Sequence, residues 1–592
     1  MQRLSDQQII DKQAFIAQYI RSNNAADGST MDANANVTQK NIATLETELM
    51  KDYLVQVNRG IVSNKIAELF GEELGREYHR QIEAHEIYVH DETSLKPYCT
   101  SISLYPFLLD GLTKLGGESK APKHLSSFCG SFVNLVFAIS AQFAGAIATV
   151  EFLTYFDYFA RKEFGENYLY SHENEIANHL QHVVYALNQP AAARGYQSVF
   201  WNISLYDKYY FDALFGEFVF PDFSQPDWQS IKQLQAFFLS WFNKEREKSI
   251  LTFPVVTAAM LTTEESVKDQ EFAQMCAKEI SQGNSFFVYQ STSADSLASC
   301  CRLRNEINDN TFSYTLGAGG IATGSLNVIT LNMNRLVQQG RDLAEEVDKL
   351  HKYQVAYRHI MEEYLDNGLL PVYDAGFITL DKQFLTIGIN GMVEAAESQG
   401  IQAENSEQYQ LFVEQHLKII FDANKRAKKQ YGYMFNTEFV PAENLGVKNA
   451  KWDKADGIES TRECYNSYFY PVEVEDTNYL DKFILHGRNF TRYLDGGSAL
   501  HLNLEQHLTE KNAYRLLNIA AKTGCNYFCI NVKITLCNEC GHIDKKTTAH
   551  CSQCQSQNID YGTRVIGYLK RVSAFSKARR KEHQMRHYHL SK

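Results

Sequence analysis

Four cysteines near the C-terminus stand as two short pairs, Cys537-Asn-Glu-Cys540 and Cys551-Ser-Gln-Cys554. Each CxxC turn aims both of its sulfurs at one point, and the intervening loop brings the pairs together. This spacing predicts a structural tetrathiolate zinc site. A little further on comes Arg564-Val-Ile-Gly567-Tyr568-Leu569, a glycine among bulky neighbours, the kind of position where a bare Cα is itself the chemical requirement. Ser299-Cys300-Cys301-Arg302 sets a cation beside a thiol, which suits thiolate or phosphate chemistry. Two small buried hydrophobes would explain the same cysteines equally well. The glycine-rich stretch from Leu316 to Gly324 could cradle phosphate with backbone N–H groups, a weak signal by itself. Pro97-Tyr98-Cys99, after His90-Asp91, proves nothing alone.

These residues must be carried by a large body. The chain has 592 residues, 44% hydrophobic and 22% charged, as in ordinary globular proteins, with 36 Phe and 34 Tyr to fill a broad interior. A net charge of −12 argues against a nucleic-acid binder. The twelve cysteines have no secreted disulfide pattern, and Met1-Gln-Arg-Leu-Ser-Asp-Gln lacks a signal peptide's apolar core, so a cytoplasmic, reducing location is expected. Ser126–Val150 carries no charge, but Asn134, Ser140, Gln142 and Thr149 interrupt it. It predicts a buried helix running on into Glu151-Phe-Leu-Thr-Tyr, with no membrane role. Helical periodicity marks Leu45 to Glu83, Asp342 to Leu365 and Tyr409 to Tyr431. Strand-like runs begin at Ser285, Leu326 and Phe528, the last ending near Thr535 where the zinc knuckle begins. Helices alternating with short buried strands predict an α/β protein. The basic tail from Lys570 to Lys592 is expected to be a solvated end, with docking of a phosphate or an acidic partner as its functional alternative.

Together these segments resemble the anaerobic (class III) ribonucleoside-triphosphate reductases of the glycyl-radical enzyme group. The resembling pieces begin with Asp32-Ala-Asn-Ala-Asn36, Gly60-Ile-Val-Ser-Asn-Lys, His85-Glu-Ile-Tyr-Val-His-Asp91 and Ser140-Ala-Gln-Phe-Ala-Gly. Cys300-Cys-Arg, Thr323-Gly-Ser-Leu-Asn-Val-Ile-Thr-Leu-Asn332, Ile387-Gly-Ile-Asn-Gly391 and Val440-Pro-Ala-Glu443-Asn follow, then the cysteine pairs and the Gly567 segment. The glycine segment and the Cys-Cys pair are also similar to pyruvate formate-lyase. A four-cysteine knuckle just before the glycine is similar to the reductases only.

The resemblance implies a ten-stranded α/β barrel with a small C-terminal zinc-binding module. It divides the chain into an N-terminal helical segment without an ATP-cone (1–85), the catalytic barrel (86–530), the zinc module (531–560), and a glycyl-radical loop with basic tail (561–592). Gly567 would store a radical installed by a separate radical S-adenosylmethionine iron–sulfur activase. Its Cα–H is flanked by an amide and a carbonyl and unshielded by Cβ. Cys301 would relay the radical to the ribose of a ribonucleoside triphosphate. Glu443 is either the proton donor to the departing hydroxyl or a structural carboxylate. Cys99, or Cys300, would be the second cysteine. Formate-using relatives place an asparagine where Ser325 stands, so formate and a redoxin both stay open as reductant. A homodimer is implied, with deoxynucleotide and ATP specificity effectors bound at its interface, involving the helix around Gln142. Cys129, Cys276, Cys464, Cys525 and Cys529 are assigned to packing. Another glycyl-radical enzyme, a carbon–carbon lyase or dehydratase, is the first rival, and a zinc-ribbon nucleic-acid binder the second.

Overall fold

The structure, a computed structural model, describes residues 4–25, 39–191, 197–283, 286–294, 296–298, 304–306, 322–440, 444–475, 478–564 and 567–589. Its central sheet is built from β1 (Cys99–Ser101), β2 (Ile147–Ala148), β3 (Trp201–Tyr206), β4 (Val255–Leu261) and β5 (Phe286–Ser291). Then come β6 (Gly324–Asn332), β7 (Gln383–Asn390), β8 (Phe435–Phe439), β9 (Leu500–Leu504) and β10 (Tyr527–Val532). Hydrogen bonds order them β8-β7-β6-β1-β2-β3-β4-β5-β10-β9, with the short strand Ile87–Val89 added antiparallel to β6 outside that path.

Strands β1 to β5 run parallel to one another. So do β6 to β8, and β9 with β10. The two sets meet antiparallel at β6–β1 and at β5–β10. The ends of the path also meet. Glu438 of β8 forms a parallel bridge with Gly497, just ahead of β9. The Gly496 N–H donates to the Thr437 carbonyl at 2.8 Å, and the Phe439 N–H to the Gly497 carbonyl at 3.0 Å. The sheet is thus a closed barrel of ten strands in two opposed parallel halves, as the resemblance predicts. Its longer strands are buried at nearly every position, as expected where side chains fill the inside and helices cover the outside.

The predicted helices are present with sharper ends. Leu45–Glu83 is two helices, Ile42–Phe70 and Glu72–Glu83, broken at Gly71, whose φ of 99° and ψ of 153° only glycine adopts readily. The other two are Leu343–Asp366, capped by Asp342, and Glu407–Tyr431, capped by Ser406.

The uncharged run is not one helix. Leu125–Ser140 is helical, the chain then turns, β2 enters the barrel, and a new helix spans Phe152–Phe164. Gly145 explains the turn. A Cβ there would lie 2.5 Å from the Cys99 sulfur, so the small-residue stretch is needed where the backbone passes beside β1. Phe128, Phe132, Phe152, Phe159 and Trp201 pack face and edge across the junction, which accounts for the lack of polar residues. Among the described residues no helix is long and apolar enough to cross a membrane. Gln142 lies in the turn rather than in a helix, and its side-chain oxygen accepts a 3.4 Å hydrogen bond from the Val372 N–H.

The strand expected to end near Thr535 divides at Lys533. β10 belongs to the barrel, and β11 (Ile534–Cys537) starts a second sheet with β12 (Ile543–Asp544), β13 (Ile559–Arg564) and β14 (Leu569–Arg571). Its order is β12-β11-β13-β14, every pair antiparallel.

Candidate active site and metal centre

The end of β11 and the turns around it gather the four predicted cysteines. All four sulfurs lie within 4.8 Å of one another. Cys537 Sγ is 3.5 Å from Cys554 Sγ, and Cys540 Sγ 3.6 Å from Cys551 Sγ. A tetrahedron of thiolates about 2.3 Å from zinc has edges of about 3.8 Å, so these separations fit that ion. Both pairs share one local geometry. The Cys540 N–H donates to the Cys537 sulfur at 3.4 Å, and the Cys554 N–H to the Cys551 sulfur at 3.5 Å. Such donors favour thiolates, and the backbone N–H groups of Cys540 and Glu539 draw the Cys537 pKa down to about 6. The donor set is all sulfur, with no open position for a water ligand, which marks a structural site.

The same sheet presents Gly567. In the β13–β14 hairpin Arg564 pairs with Leu569 and Thr563 with Lys570, so Gly567 sits at the hairpin tip, and it is buried. Tyr568 anchors it. Its ring meets Phe200 edge-on at 5.0 Å and lies 5.9 Å from Phe253. These two residues immediately precede β3 and lie just before β4. From the other half of the barrel, Asn531 of β10 accepts the Arg564 N–H at 3.0 Å. Its amide nitrogen donates to Asn503 at 2.7 Å and to Thr563 at 3.0 Å. The hairpin therefore plugs into the end of the barrel where the first half begins and the second half ends.

Arg564 is buried, and burial lowers its pKa. Two contacts offset the desolvation. Its guanidinium lies 4.8 Å over the Phe287 ring of β5, and its Nη1 donates to the Gly567 carbonyl at 3.1 Å.

Cys99 lies at the same end of the barrel. It packs with Ala146, Tyr98 and Phe200, so the ring that stops Tyr568 also touches the Cys99 cluster. The Ala146 N–H points at the Cys99 sulfur from 3.2 Å. In the antiparallel junction Cys99 stands directly opposite Ser325, which the family pattern singled out as the asparagine position. The Ser325 hydroxyl lies 2.8 Å from that of Thr386. Gly324 shows why a glycine opens β6, since a Cβ there would fall 2.2 Å from the Cys99 carbonyl. Close strand approach is thus its role. Residues 316–321 of the glycine-rich stretch lie outside the described residues, as do Cys300, Cys301 and Glu443.

The cysteines assigned to packing are buried. Burial raises the Cys464 thiol to about 11 and those of Cys129, Cys276 and Cys525 further, which suits inert side chains. The tail departs from expectation. Lys570, Arg579, Glu582, His583, Arg586 and Tyr588 are buried, so it is not a solvated end. Composition hides this, because Arg579 and Arg586 share the Glu582 carboxylate within the tail while His587 and His589 bond to the distant Val472 and Asn503 carbonyls. Asn503, Asn531 and Phe200 also carry no motif. Only the hairpin's position in space reveals them.

A closed ten-stranded barrel of two opposed halves, with an appended four-cysteine centre, defines the ribonucleotide-reductase type of α/β barrel. A family model described as anaerobic ribonucleoside-triphosphate reductase matches residues 46–589, and the chain belongs to that family. A solved anaerobic ribonucleotide reductase is similar with a TM-score of 0.86 and 28% identity, covering 99% of this chain and 93% of its own. The Thermotoga maritima anaerobic ribonucleotide reductase with glycerol in its active site gives 0.84 and 28%, covering 98% and 94%. The same enzyme in complex with dATP and CTP gives 0.82 and 28%, covering 98% and 100%. No curated protein is similar enough in sequence to match. The chain is an oxidoreductase that reduces ribonucleotides anaerobically, and the rival readings as a carbon–carbon lyase or a nucleic-acid binder are set aside.

Proposed function

We propose that this protein converts ribonucleoside triphosphates to 2′-deoxyribonucleoside triphosphates with a radical kept on Gly567, supplying precursors for DNA synthesis in the cytoplasm. A separate radical S-adenosylmethionine iron–sulfur activase removes one hydrogen atom from the Gly567 Cα. Cys301 gives its thiol hydrogen back to that carbon and becomes a thiyl radical, which takes the ribose 3′ hydrogen. The 2′ hydroxyl then leaves as water, with Glu443 as proton donor. Two electrons and the replacement 2′ hydrogen come from formate or a redoxin, with Cys99 as the second cysteine. Cys301 then returns the 3′ hydrogen and the radical passes back to Gly567. Zinc held by Cys537, Cys540, Cys551 and Cys554 supplies rigidity to the sheet that carries the hairpin. The Thermotoga maritima enzyme's complex with dATP and CTP supports nucleotide substrates and deoxynucleotide effectors for this chain too. The active assembly in this reading is a homodimer.

One observation carries the reading. Gly567 is buried at the tip of a hairpin whose tyrosine rests on the ring that also packs against Cys99. A radical carbon needs such an enclosed seat, because water and stray reductants would quench it. The test is anaerobic incubation with a radical S-adenosylmethionine activase, then paramagnetic resonance, then air. An organic radical should form, and oxygen should cut the chain at Gly567 to release a short C-terminal fragment. A chain left whole would refute the assignment.

A further inference from the structure

The Gly567 hairpin is held by more than its own sheet. After β14 the chain forms the helix Lys577–Met585, capped by Ser576, and then runs extended to His589. The Glu582 carboxylate accepts from Arg586 at 2.9 and 3.1 Å and from Arg579 at 3.3 Å. Burial works against the Glu582 charge, but Arg586 and Arg579 outweigh it and its pKa falls. Arg586 then reaches the hairpin, its Nη1 donating to the Arg564 carbonyl at 3.0 Å. Arg564 in turn donates to the Gly567 carbonyl at 3.1 Å. One chain of charge-assisted hydrogen bonds therefore runs from the tail helix to the carbonyl of the glycine.

Past Arg586 the tail is fastened to the barrel. The His587 N–H donates to the Val472 carbonyl at 2.9 Å, and the His589 N–H to the Asn503 carbonyl at 3.0 Å. The His589 carbonyl accepts from the Glu505 N–H at 3.0 Å, making a parallel bridge beside β9. The Tyr588 hydroxyl lies 3.0 Å from that of Thr563 on β13. On the exposed face of the helix Lys581 pairs with Glu463 at 2.7 Å.

We propose that residues 577–589 form a clamp that holds the Gly567 hairpin in its seat at the barrel end, with Arg586 as the positioning residue. The inference rests on Gly567 being the radical site. A seated hairpin serves turnover, while an activase can reach the glycine only when the hairpin leaves its seat. Loss of Arg586 strips partners from the buried Arg564 carbonyl and the Glu582 carboxylate, groups that water satisfies once the hairpin is out. Weakening the clamp therefore shifts population from seated to released. Radical installation should become faster and turnover per installed radical slower. General destabilisation would slow both.

The test uses the full chain as Arg586→Gln and as Lys581→Glu, the second leaving the buried network intact. Hydrogen exchange at Tyr568 and Leu569 should accelerate by about tenfold in the first, the effect of losing the one buried hydrogen bond that Arg586 gives the hairpin itself. In the second it should accelerate by about two- to threefold, as for a reversed surface pair. Peptides from β3, β4 and β7 should keep their native rates. With activase, radical per minute should rise while product per radical falls. If Arg586→Gln fails to fold, Lys581→Glu decides alone. Unchanged hairpin exchange, or acceleration shared by all the barrel strands, would overturn the clamp. A wild-type chain that acquires no radical would overturn the Gly567 assignment instead, with the exchange result still standing.

Discussion

Cys537 and its three partners illustrate how far single side chains carry the argument. Four sulfurs so close together repel as thiolates unless a cation joins them, so the arrangement calls for a metal. Cys537→Ser or Cys554→Ser should lose the metal and abolish the radical at Gly567 while the barrel stays folded, as read by metal content, paramagnetic resonance and circular dichroism. A normal glycyl signal would assign the module another purpose. Glu151 makes a different point. It is fully buried after β2, accepts the Leu104 N–H at 2.7 Å, and burial raises its pKa to about 8. The folded state thus keeps a proton there that the unfolded chain releases above its ordinary value of about 4.3. Its contribution to stability is full below that value and is lost as pH rises through 8. Glu151→Gln should raise the melting temperature at pH 8, by up to a few kcal/mol in stability, and leave it little changed at pH 4. A flat wild-type melting profile across that range would refute the buried proton.

Among elements, the β13–β14 hairpin is decisive, because it belongs to the sheet with the four-cysteine centre by hydrogen bonding and to the barrel by side-chain contact. Strand β13 spans Ile559–Arg564, so it leads without a break from the knuckle to the residues that face Asn531. Asn531 is the bolt between the two units. Asn531→Ala would leave the Arg564 N–H, Asn503 and Thr563 short of a buried partner, a loss of about 3 kcal/mol. Thermal unfolding should show it, and hydrogen exchange at Tyr568 should report a loosened hairpin before the barrel melts. Coincident transitions would mean that Asn531 serves the barrel alone.

For the whole molecule, barrel closure decides what meets what. Cys99 and Ser325 are more than two hundred residues apart, yet the antiparallel junction of the halves sets them opposite each other. That junction bears on the reductant. A serine there supplies one hydroxyl, already engaged with Thr386, where an amide would offer two donors to a carboxylate. Turnover should therefore run faster on a thioredoxin-type reductant than on formate when each is the sole electron source. Vigorous turnover on formate alone would reverse that choice.

Several features were legible before any fold was known, because their information is local. CxxC spacing fixes where sulfurs can point, a glycine among bulky residues marks its own Cα, and periodicity gives the helices Leu343–Asp366 and Glu407–Tyr431 to within two residues. The order of the motifs gave the family and, through it, the ten-stranded barrel. The tail's burial, the break in the uncharged run at Gly145, and the roles of Asn531, Asn503, Phe200 and Arg586 were not legible. Each depends on a neighbour brought from far along the chain, and a charged or apolar residue looks the same in sequence whether water or a distant partner surrounds it. Sequence determined which chemistry the residues can perform. Only the closed barrel, by bringing its two halves and the C-terminal sheet to one end, decided which of them stand together.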